Sequence, residues 1–341
     1  MTGGAVSATA SAPLARPGGL VNLKADVPGL AVAAIVAVLI PLAFRSAALL
    51  GILAVMFIWM AVNVSWNLVL GFAGTFSFGQ LAFFVCGGYT SGILDVHYGV
   101  SPWIDTLAAG AVGAAASLVI GLAVLRLRGV YVALVTLAFH QLVNSLVSND
   151  YSGLTGGPNG LTPIRPYFES SSLLGQSLVG YWIGLLCALA ATVAVLLILR
   201  SPIGLALVAA RDAEHVASAR GVMATRYRMI AFVVSGTIAG LMGGVYAHFI
   251  GVVSPSLFSF SLLMMLFSMI IVGGWATIWG PIVGTIVITG LSEWIDGRWP
   301  EYEPLILAAV MVTVVLFLQG GIVGAANLVI RRAVLAWERL E

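Results

Sequence analysis

The sequence predicts an all-α polytopic membrane protein whose helices are interrupted by glycine and proline. Its apolar residues come in blocks of about 18 to 24, the length of helix that crosses the hydrocarbon core of a bilayer. Only 8% of the 341 residues are charged, whereas a soluble domain carries about a quarter. The chain therefore lacks the charge to form a water-facing surface. A β-barrel would show short alternating segments, and such segments do not dominate.

Ten apolar segments are candidate spans, and we expect about eight to ten of them to be transmembrane helices. In chain order they are 29–44, 48–70, 76–94, 103–125, 129–148, 180–199, 227–250, 258–275, 278–293 and 304–325. Pairs of spans meet around 71–80 and around 273–280, where the chain contains glycine or proline. Each of these spans is either a full crossing or a broken or re-entrant helix.

Positive charge predicts the orientation. Twelve of the fifteen Lys and Arg residues share one face if it holds both termini, the 126–129 turn and the 200–228 loop. These are Arg16, Lys24, Arg126, Arg128, Arg200, Arg211, Arg220, Arg226, Arg228, Arg331, Arg332 and Arg339; the others are Arg45, Arg165 and Arg298. Positive residues concentrate in the cytoplasm, so we expect cytoplasmic termini and an outward-facing 149–179 loop.

Several functions are disfavoured by missing residues. No charged residue lies near a predicted span centre, since Asp95, Asp105 and Glu293 sit at predicted outer ends. An intramembrane charge usually marks a proton or ion relay, so its absence argues against a proton-driven pump and leaves sodium coupling open. A Walker A loop needs a Gly-Lys step, but the one lysine is Lys24 in the tail.

Neither a catalytic site nor a metal site is predicted. The sequence contains no G-x-S-x-G elbow and no H-E-x-x-H helix. Cys86 and Cys187 lie in apolar segments, and the four histidines are scattered: His97, His140, His215 and His248. We therefore predict a passage for a neutral or zwitterionic solute, with energy supplied by another polypeptide.

Glycines and polar side chains are candidates for helix packing and for the passage. Gly236, Gly240 and Gly244 recur every four residues, a spacing that lets a neighbouring helix approach closely. The functional interpretation is a helix pair that slides or rocks, and the alternative is plain tight packing. The candidate passage residues are Asn63, Asn67, Ser77, Gln80, Thr136, His140 and Asn144. Interhelical hydrogen bonds are the alternative role for these polar stripes.

The stretch "GFAGTFSFGQ" (71–80) combines backbone breakers with side chains that can bond the freed backbone groups. A second interruption, "VGGWATIWGPIVG" (272–284), lies in the other half of the chain. Paired interruptions point to the central site of a transporter, because non-helical backbone at membrane depth must lie inside protein or beside water. The alternative for each is a turn between two spans.

The 201–228 loop predicts a short amphipathic helix that begins at Ser201 and Pro202 and ends at Gly221. Such a helix can lie on lipid or fill a groove on a partner. Its alanine-rich face and mixed charge favour the partner.

These stretches resemble a known family. "NLVLGFAGTFSFGQLAFFVCGGYTSGIL", "RGVYVALVTLAF", "LTGGPNGL", "GLALVAARDAEHVASARGV" and "IVGGWATIWGPIVG" are similar to the membrane subunits of branched-chain amino-acid ABC importers. The loop with "LTGGPNGL" resembles the M-type subunit, and the similarity runs from about 60 to 295. The wider superfamily includes permeases for urea, short amides, aromatic and other carboxylates, and more distantly ribose.

The resemblance implies an ABC importer permease fold and a set of partners. They are a second homologous permease, two cytoplasmic ATPases that bind ATP and Mg²⁺, a periplasmic solute-binding protein and the lipid bilayer. We expect no cofactor on this chain and no nucleic-acid partner. The implied residues for coupling to the ATPase are Arg211, Asp212, Glu214, Ala217 and Gly221. Departures from the family pattern occur at Phe76, Phe78, Gln80, Ala213, His215 and Val216.

The resulting expectation is half of a translocation pathway for branched-chain or hydrophobic amino acids in a bacterial inner membrane. The expected regions are a flexible cytoplasmic tail (1–28), a transmembrane permease domain (29–330) and a cytoplasmic tail (331–341). The permease domain includes a periplasmic loop (149–179) and a cytoplasmic coupling loop (201–226). The alternatives are import of urea, short amides or aromatic and other carboxylates and, from a different class, a sodium-coupled secondary transporter.

Overall fold

The computed structural model describes residues 23–127, 129–151, 153–168, 172–318 and 320–326, with side chains from residue 27 onward. Apart from an isolated β-bridge between Leu161 and Val253, the regular structure in these ranges is helical. The α-helices are α1 Leu23–Ala43, α2 Ala47–Asn67, α3 Gln80–Tyr98, α4 Pro102–Val124, α5 Val130–Asn149, α6 Leu173–Arg200, α7 Pro202–Asp212, α8 Glu214–Ala219, α9 Ala224–Ile250, α10 Phe260–Gly273, α11 Trp279–Asp296 and α12 Glu303–Phe317.

The helices confirm the prediction of an all-α polytopic membrane protein. Within the described residues, six are long and apolar enough to cross a membrane. They are Ala47–Phe72, Pro102–Val124, Val130–Asn149, Leu173–Arg200, Ala224–Ile250 and Pro300–Ala326. Two further apolar helices, Val27–Ala43 and Phe260–Gly273, are shorter than a span of about 20 residues.

Two helix starts differ from the predicted boundaries. α1 begins at Leu23, inside the predicted tail 1–28, so the helix includes Lys24 and Asp26 ahead of its apolar part, which begins at Val27. α6 begins at Leu173 rather than near 180, because the Ser172 hydroxyl caps the helix by accepting from the Gly175 amide at 3.0 Å. The loop between α5 and α6 is correspondingly shorter than predicted. Residues 1–22 and the predicted tail 331–341 lie outside the described residues.

α9 lies at the centre of the bundle and packs against α2, α3 and α4. The glycine stripe faces α4: a Cβ on Gly240 would overlap the Ala109 carbonyl oxygen, and one on Gly244 would lie 3.1 Å from the Thr106 Cα. A Cβ on Gly236 would likewise overlap the Ser117 side chain. Missing side chains therefore allow close backbone approach, as in small-residue packing of membrane helices.

Two helices are followed by non-helical backbone where the sequence predicts interruptions. α2 continues into one π-helical turn, Leu68–Phe72, and the chain is then non-helical over 73–79 until α3 begins. α10 ends at Gly273, and 274–278 is non-helical before α11. We call these stretches the first interruption (73–79) and the second interruption (274–278).

Candidate functional site

The two interruptions are joined through Asn67 at the end of α2. Its buried amide Nδ2 donates to the Thr277 carbonyl oxygen at 2.8 Å, and the Ala276 N–H donates to its Oδ1 at 3.0 Å. A Cβ on Gly71 would lie 2.5 Å from the Ala276 nitrogen. Glycine at 71 therefore lets the second interruption pack directly on the turn that precedes the first.

Side chains satisfy the backbone of the first interruption. The Trp66 indole N–H donates to the Ser77 carbonyl oxygen at 2.8 Å, and the Thr136 hydroxyl accepts from the Phe78 N–H at 2.9 Å. The Ser77 hydroxyl accepts from the Gly79 N–H at 3.3 Å. A buried backbone group without a partner costs about as much as a lost hydrogen bond, so these contacts explain why polar residues accompany the glycines.

Gln80 and Asn63 connect helices through their amides. Gln80 Nε2 donates to the Ser65 hydroxyl at 3.0 Å, and the Ser235 hydroxyl donates to its Oε1 at 2.9 Å. These bonds tie α3 to α2 and α9. Asn63 Nδ2 donates to the Thr285 hydroxyl at 3.2 Å, linking α2 to α11. Both amides are buried.

The predicted polar stripe on α5 is only partly brought into the core. Thr136 and His140 are buried, and His140 Nε2 lies 3.0 Å from the Phe258 carbonyl oxygen. Because a carbonyl only accepts, this nitrogen carries the hydrogen. Asn144 is half-buried and contacts Gln141 on its own helix. A role in solute passage stays a prediction for all seven candidate residues.

The predicted single cytoplasmic helix is two helices. α7 ends and α8 begins on either side of Ala213, whose φ of −151° and ψ of 72° are non-helical. The Ala213 N–H still bonds the Ala209 carbonyl at 3.0 Å, so the chain breaks without losing that helical bond. Gly221 follows α8 in the left-handed region, with φ +84°.

Arg211 on α7 points into the protein. Its Nη1 donates to the Gly71 carbonyl oxygen at 2.8 Å and its Nε to Asp212 Oδ1 at 2.8 Å. A Cβ on Gly74 would lie 2.5 Å from Arg211 Cγ. Arg211 thus connects α7 to the end of α2 and the first interruption.

The other predicted coupling residues divide between inside and outside. Glu214 on α8 pairs with Arg228 on α9 at 3.2 Å, and Ala217 is buried. The Asp212 side chain is half exposed, and a Cβ on Gly221 would meet no atom within 4 Å. Of these four residues, Asp212 and Gly221 are therefore the most accessible to a partner.

The opposite end of the bundle holds a buried polar cluster that the sequence does not predict. His248 on α9 and Asp105 on α4 are both fully buried, with Nε2 2.7 Å from Oδ1. The Ser91 hydroxyl of α3 lies 2.8 Å from the same carboxylate oxygen and 2.9 Å from the same imidazole nitrogen. His248 Nδ1 lies 2.5 Å from the Arg165 carbonyl oxygen. The one feature of the sequence that points to this cluster is a carboxylate, Asp105, at the start of an apolar span.

The loop before α6 is fixed to α3 beside this cluster. The Arg165 N–H and Nε donate to the two carboxylate oxygens of Asp95 at 2.8 Å and 2.7 Å. At the loop's start, the Thr155 N–H donates to Asp150 Oδ1 at 2.9 Å, and this bond lowers the pKa of the Asp150 carboxyl. Charge-assisted hydrogen bonds of this kind are roughly twice as strong as neutral ones.

Comparisons with known proteins agree with the architecture. Residues 48–315 match the family described as "Branched-chain amino acid transport system / permease component". Two relatives are both named high-affinity branched-chain amino acid transport system permease protein LivM, from Salmonella typhimurium (29% identity) and Escherichia coli (28%). Each alignment covers 78% of this chain and 67% of the relative. No solved structure matches. Because the family match covers most of the sequence, this chain belongs to the family of branched-chain amino acid transport system permease components.

Proposed function

We propose that this chain forms half of the translocation pathway of an ATP-driven importer for branched-chain or other hydrophobic amino acids. The observation that carries the proposal is the Arg211 contact to the Gly71 carbonyl. It provides a direct connection from a surface helix pair to interrupted backbone inside the bundle. A subunit that receives motion from a separate ATPase requires such a connection.

The second interruption extends this connection. Movement of α7 acts on the turn at Gly71, and Asn67 at the end of α2 bonds the backbone of 276 and 277 in the other half of the chain. Interrupted helices in both halves are typical of transporter sites. In the proposed mechanism, the ATPase moves α7 and the interruptions shift together.

The remaining partners follow from the same proposal. A second permease completes the pathway, two ATPases engage α7 and α8, and a periplasmic binding protein delivers the solute at the opposite end. The distribution of positive charge supports a cytoplasmic position for the α7 end and for both termini. The chain itself performs no chemical step.

Reconstitution in liposomes tests the proposal. We expect leucine uptake when the chain is combined with its second permease, two ATPases and loaded binding protein, with ATP on the ATPase side. The chain alone should give no uptake. Uptake by the chain alone, driven by a sodium gradient, would contradict the proposal and support a secondary transporter.

The same assay addresses the alternative cargo classes. Urea, a short amide and an aromatic carboxylate each replace leucine, with the matching binding protein where the neighbouring genes encode one. ATP-driven uptake of urea but not leucine would keep the architecture and change the substrate.

A further inference from the structure

A cavity of about 660 Å³ opens beside the first interruption. The turn before α5 and the first residues of α9 form its other walls, and Arg228 and Glu214 lie on its lining. We infer that this cavity binds a solute with a carboxylate on an apolar body, and that Arg228 receives the carboxylate. The inference rests on the proposed function and selects among the cargo classes that the sequence leaves open.

Aromatic side chains supply the apolar part of the cavity. Its lining includes Phe76, Phe78, Phe232 and Phe267. The rings of Phe78 and Phe267 are 5.4 Å apart, and those of Phe76 and Phe267 are 6.2 Å apart. Small-molecule sites are mostly apolar with a few polar groups that fix orientation, and this cavity has that composition.

The charged part of the cavity has unused hydrogen-bonding capacity. Three quarters of the Arg228 side chain is buried, since 25% is exposed, and Nη2 pairs with Glu214 Oε2 at 3.2 Å. Its buried Nε has no acceptor within the part of the chain that the structure describes. Buried donors rarely lack partners. A carboxylate approaching the planar guanidinium can accept two parallel hydrogen bonds, so it would satisfy the vacant donor.

A zwitterionic solute can separate the ion pair of Arg228 and Glu214 by binding one charge to each residue. The 3.2 Å separation of Arg228 and Glu214 is longer than the usual 2.7–2.9 Å of a charged hydrogen bond. An entering amino acid would place its carboxylate on Arg228 and its ammonium on Glu214, with the side chain among the phenylalanines. Urea and simple amides carry neither charge, so they cannot replace the attraction that they would disrupt.

The position of the cavity fits release of solute toward the α7 end. Gly74 and Thr75 of the first interruption line it, and Gly74 packs on the Arg211 side chain. A movement of α7 therefore reshapes one wall of the site. The same wall is the segment that departs from the family pattern at Phe76 and Phe78.

The test measures solute binding to the complete complex in nanodiscs without its binding protein. The probe is tritiated leucine, and the competitors are 4-methylpentanoate, the isosteric uncharged 4-methylpentanamide and urea. In the unchanged complex we expect leucine to bind, the carboxylate to compete better than the amide, and urea not to compete. Arg228→Gln should weaken leucine binding by at least about tenfold, equivalent to about 1.4 kcal/mol.

The ratio between carboxylate and amide competition separates recognition from structural damage. Arg228→Gln should bring this ratio close to one, whereas general damage would weaken both competitors equally. Arg226→Gln, an exposed arginine on the same helix, is the matched control and should leave the ratio unchanged. No leucine binding by the unchanged complex, no preference for the carboxylate, or a preference that survives Arg228→Gln would overturn the inference.

A measurement of ATP-driven leucine uptake distinguishes failure of this inference from failure of the proposed function. If the unchanged complex shows ATP-driven leucine uptake but no carboxylate preference, the proposed function stands and this inference falls. If it shows no ATP-driven uptake, the proposed function itself falls.

Discussion

The two ends of the bundle fix their polar groups in different ways. At the loop end, His248 and Asp105 are fully buried and share partners with Ser91 and the loop before α6. At the α7 end, Arg211 reaches one backbone oxygen with a side chain that is 25% exposed. Hydrogen bonds inside a low-dielectric interior are stronger than those open to water, and the loop end gathers several of them around His248, although Asp105 Oδ2 has no partner among the described residues. The α7 end depends on fewer bonds, made by a side chain that water can reach. We therefore expect the loop end to hold its shape while the α7 end moves with its partner.

The hydrogen-bond pattern of the loop end makes this contrast specific. The Arg165 carbonyl can only accept, so His248 Nδ1 carries a hydrogen. A further hydrogen must lie between Nε2 and Asp105 Oδ1, because two lone pairs 2.7 Å apart would repel each other. The pair therefore contains one shared proton, and α9, α4 and α3 meet around it.

Removing the Asp105 carboxyl should have the largest effect. Asp105→Ala leaves His248 and Ser91 buried without their shared acceptor, and breaking a buried pair in this way costs about 3–5 kcal/mol. We expect a clearly lower unfolding temperature for the variant in detergent, measured by intrinsic fluorescence. Asp105→Asn is the matched control, because its amide can donate to Nε2 of a neutral imidazole. An unchanged unfolding temperature in Asp105→Ala would show that this hydrogen bond does not hold the loop end together.

Arg211→Glu tests the α7 end and should change function more than stability. The substitution replaces a donor to the Gly71 carbonyl by a carboxylate, and a hydrogen bond from a charged group contributes about 1.5–3 kcal/mol. We expect ATP hydrolysis in the reconstituted importer to continue while leucine uptake per ATP falls by about tenfold or more. Arg220→Glu, at an exposed position near the end of α8, is the charge-matched control. Unchanged leucine uptake per ATP in the Arg211 variant would contradict the view that the α7 end moves with the ATPase.

Gly221→Val should have the smallest effect on folding. The residue has φ +84° and open space around its Cβ position, so the cost is conformational, about 1–2 kcal/mol for a left-handed residue. We expect faster hydrogen exchange in 214–228 and partial loss of coupling, with an unchanged global unfolding temperature. Gly221→Asn should retain most protection, because asparagine tolerates this conformation. Unchanged exchange in the valine variant would mean that the turn relaxes without strain.

The sequence predicts the helices better than their contacts. Apolar block length gives α4 and α5 to within a residue or two, since burying apolar side chains in lipid requires those lengths. The break at Ala213 is not predictable, because alanine has the highest helix propensity and the chain turns there for tertiary reasons. The start of α6 was missed because Gly175 and Gln176 weaken the apolar signal, although Ser172 provides a capping residue.

The candidate site was predictable in its parts but not in its connections. The glycines of 71–80 predict an interruption of the helix. The hydroxyl residues in the same stretch indicate that side chains bond the backbone groups that the interruption frees. The pairing of Asn67 with 276–277, or of His248 with Asp105, joins residues 143 or more positions apart. Local patterns contain no information on such distances, so His248 is indistinguishable from the other scattered histidines. The inward direction of Arg211 likewise depends on the space left by Gly74.

The π-helical turn Leu68–Phe72 has a geometric consequence for the first interruption. A π turn accommodates one more residue than an α turn, and each residue of an α-helix advances the chain by about 1.5 Å and rotates it by about 100°. Rewinding this single turn to α-helix would draw the following chain along the α2 axis and rotate Phe76 and Phe78 around it. Asn67 and Arg211 bond the chain at opposite ends of the turn, so its winding depends on both halves of the protein at once.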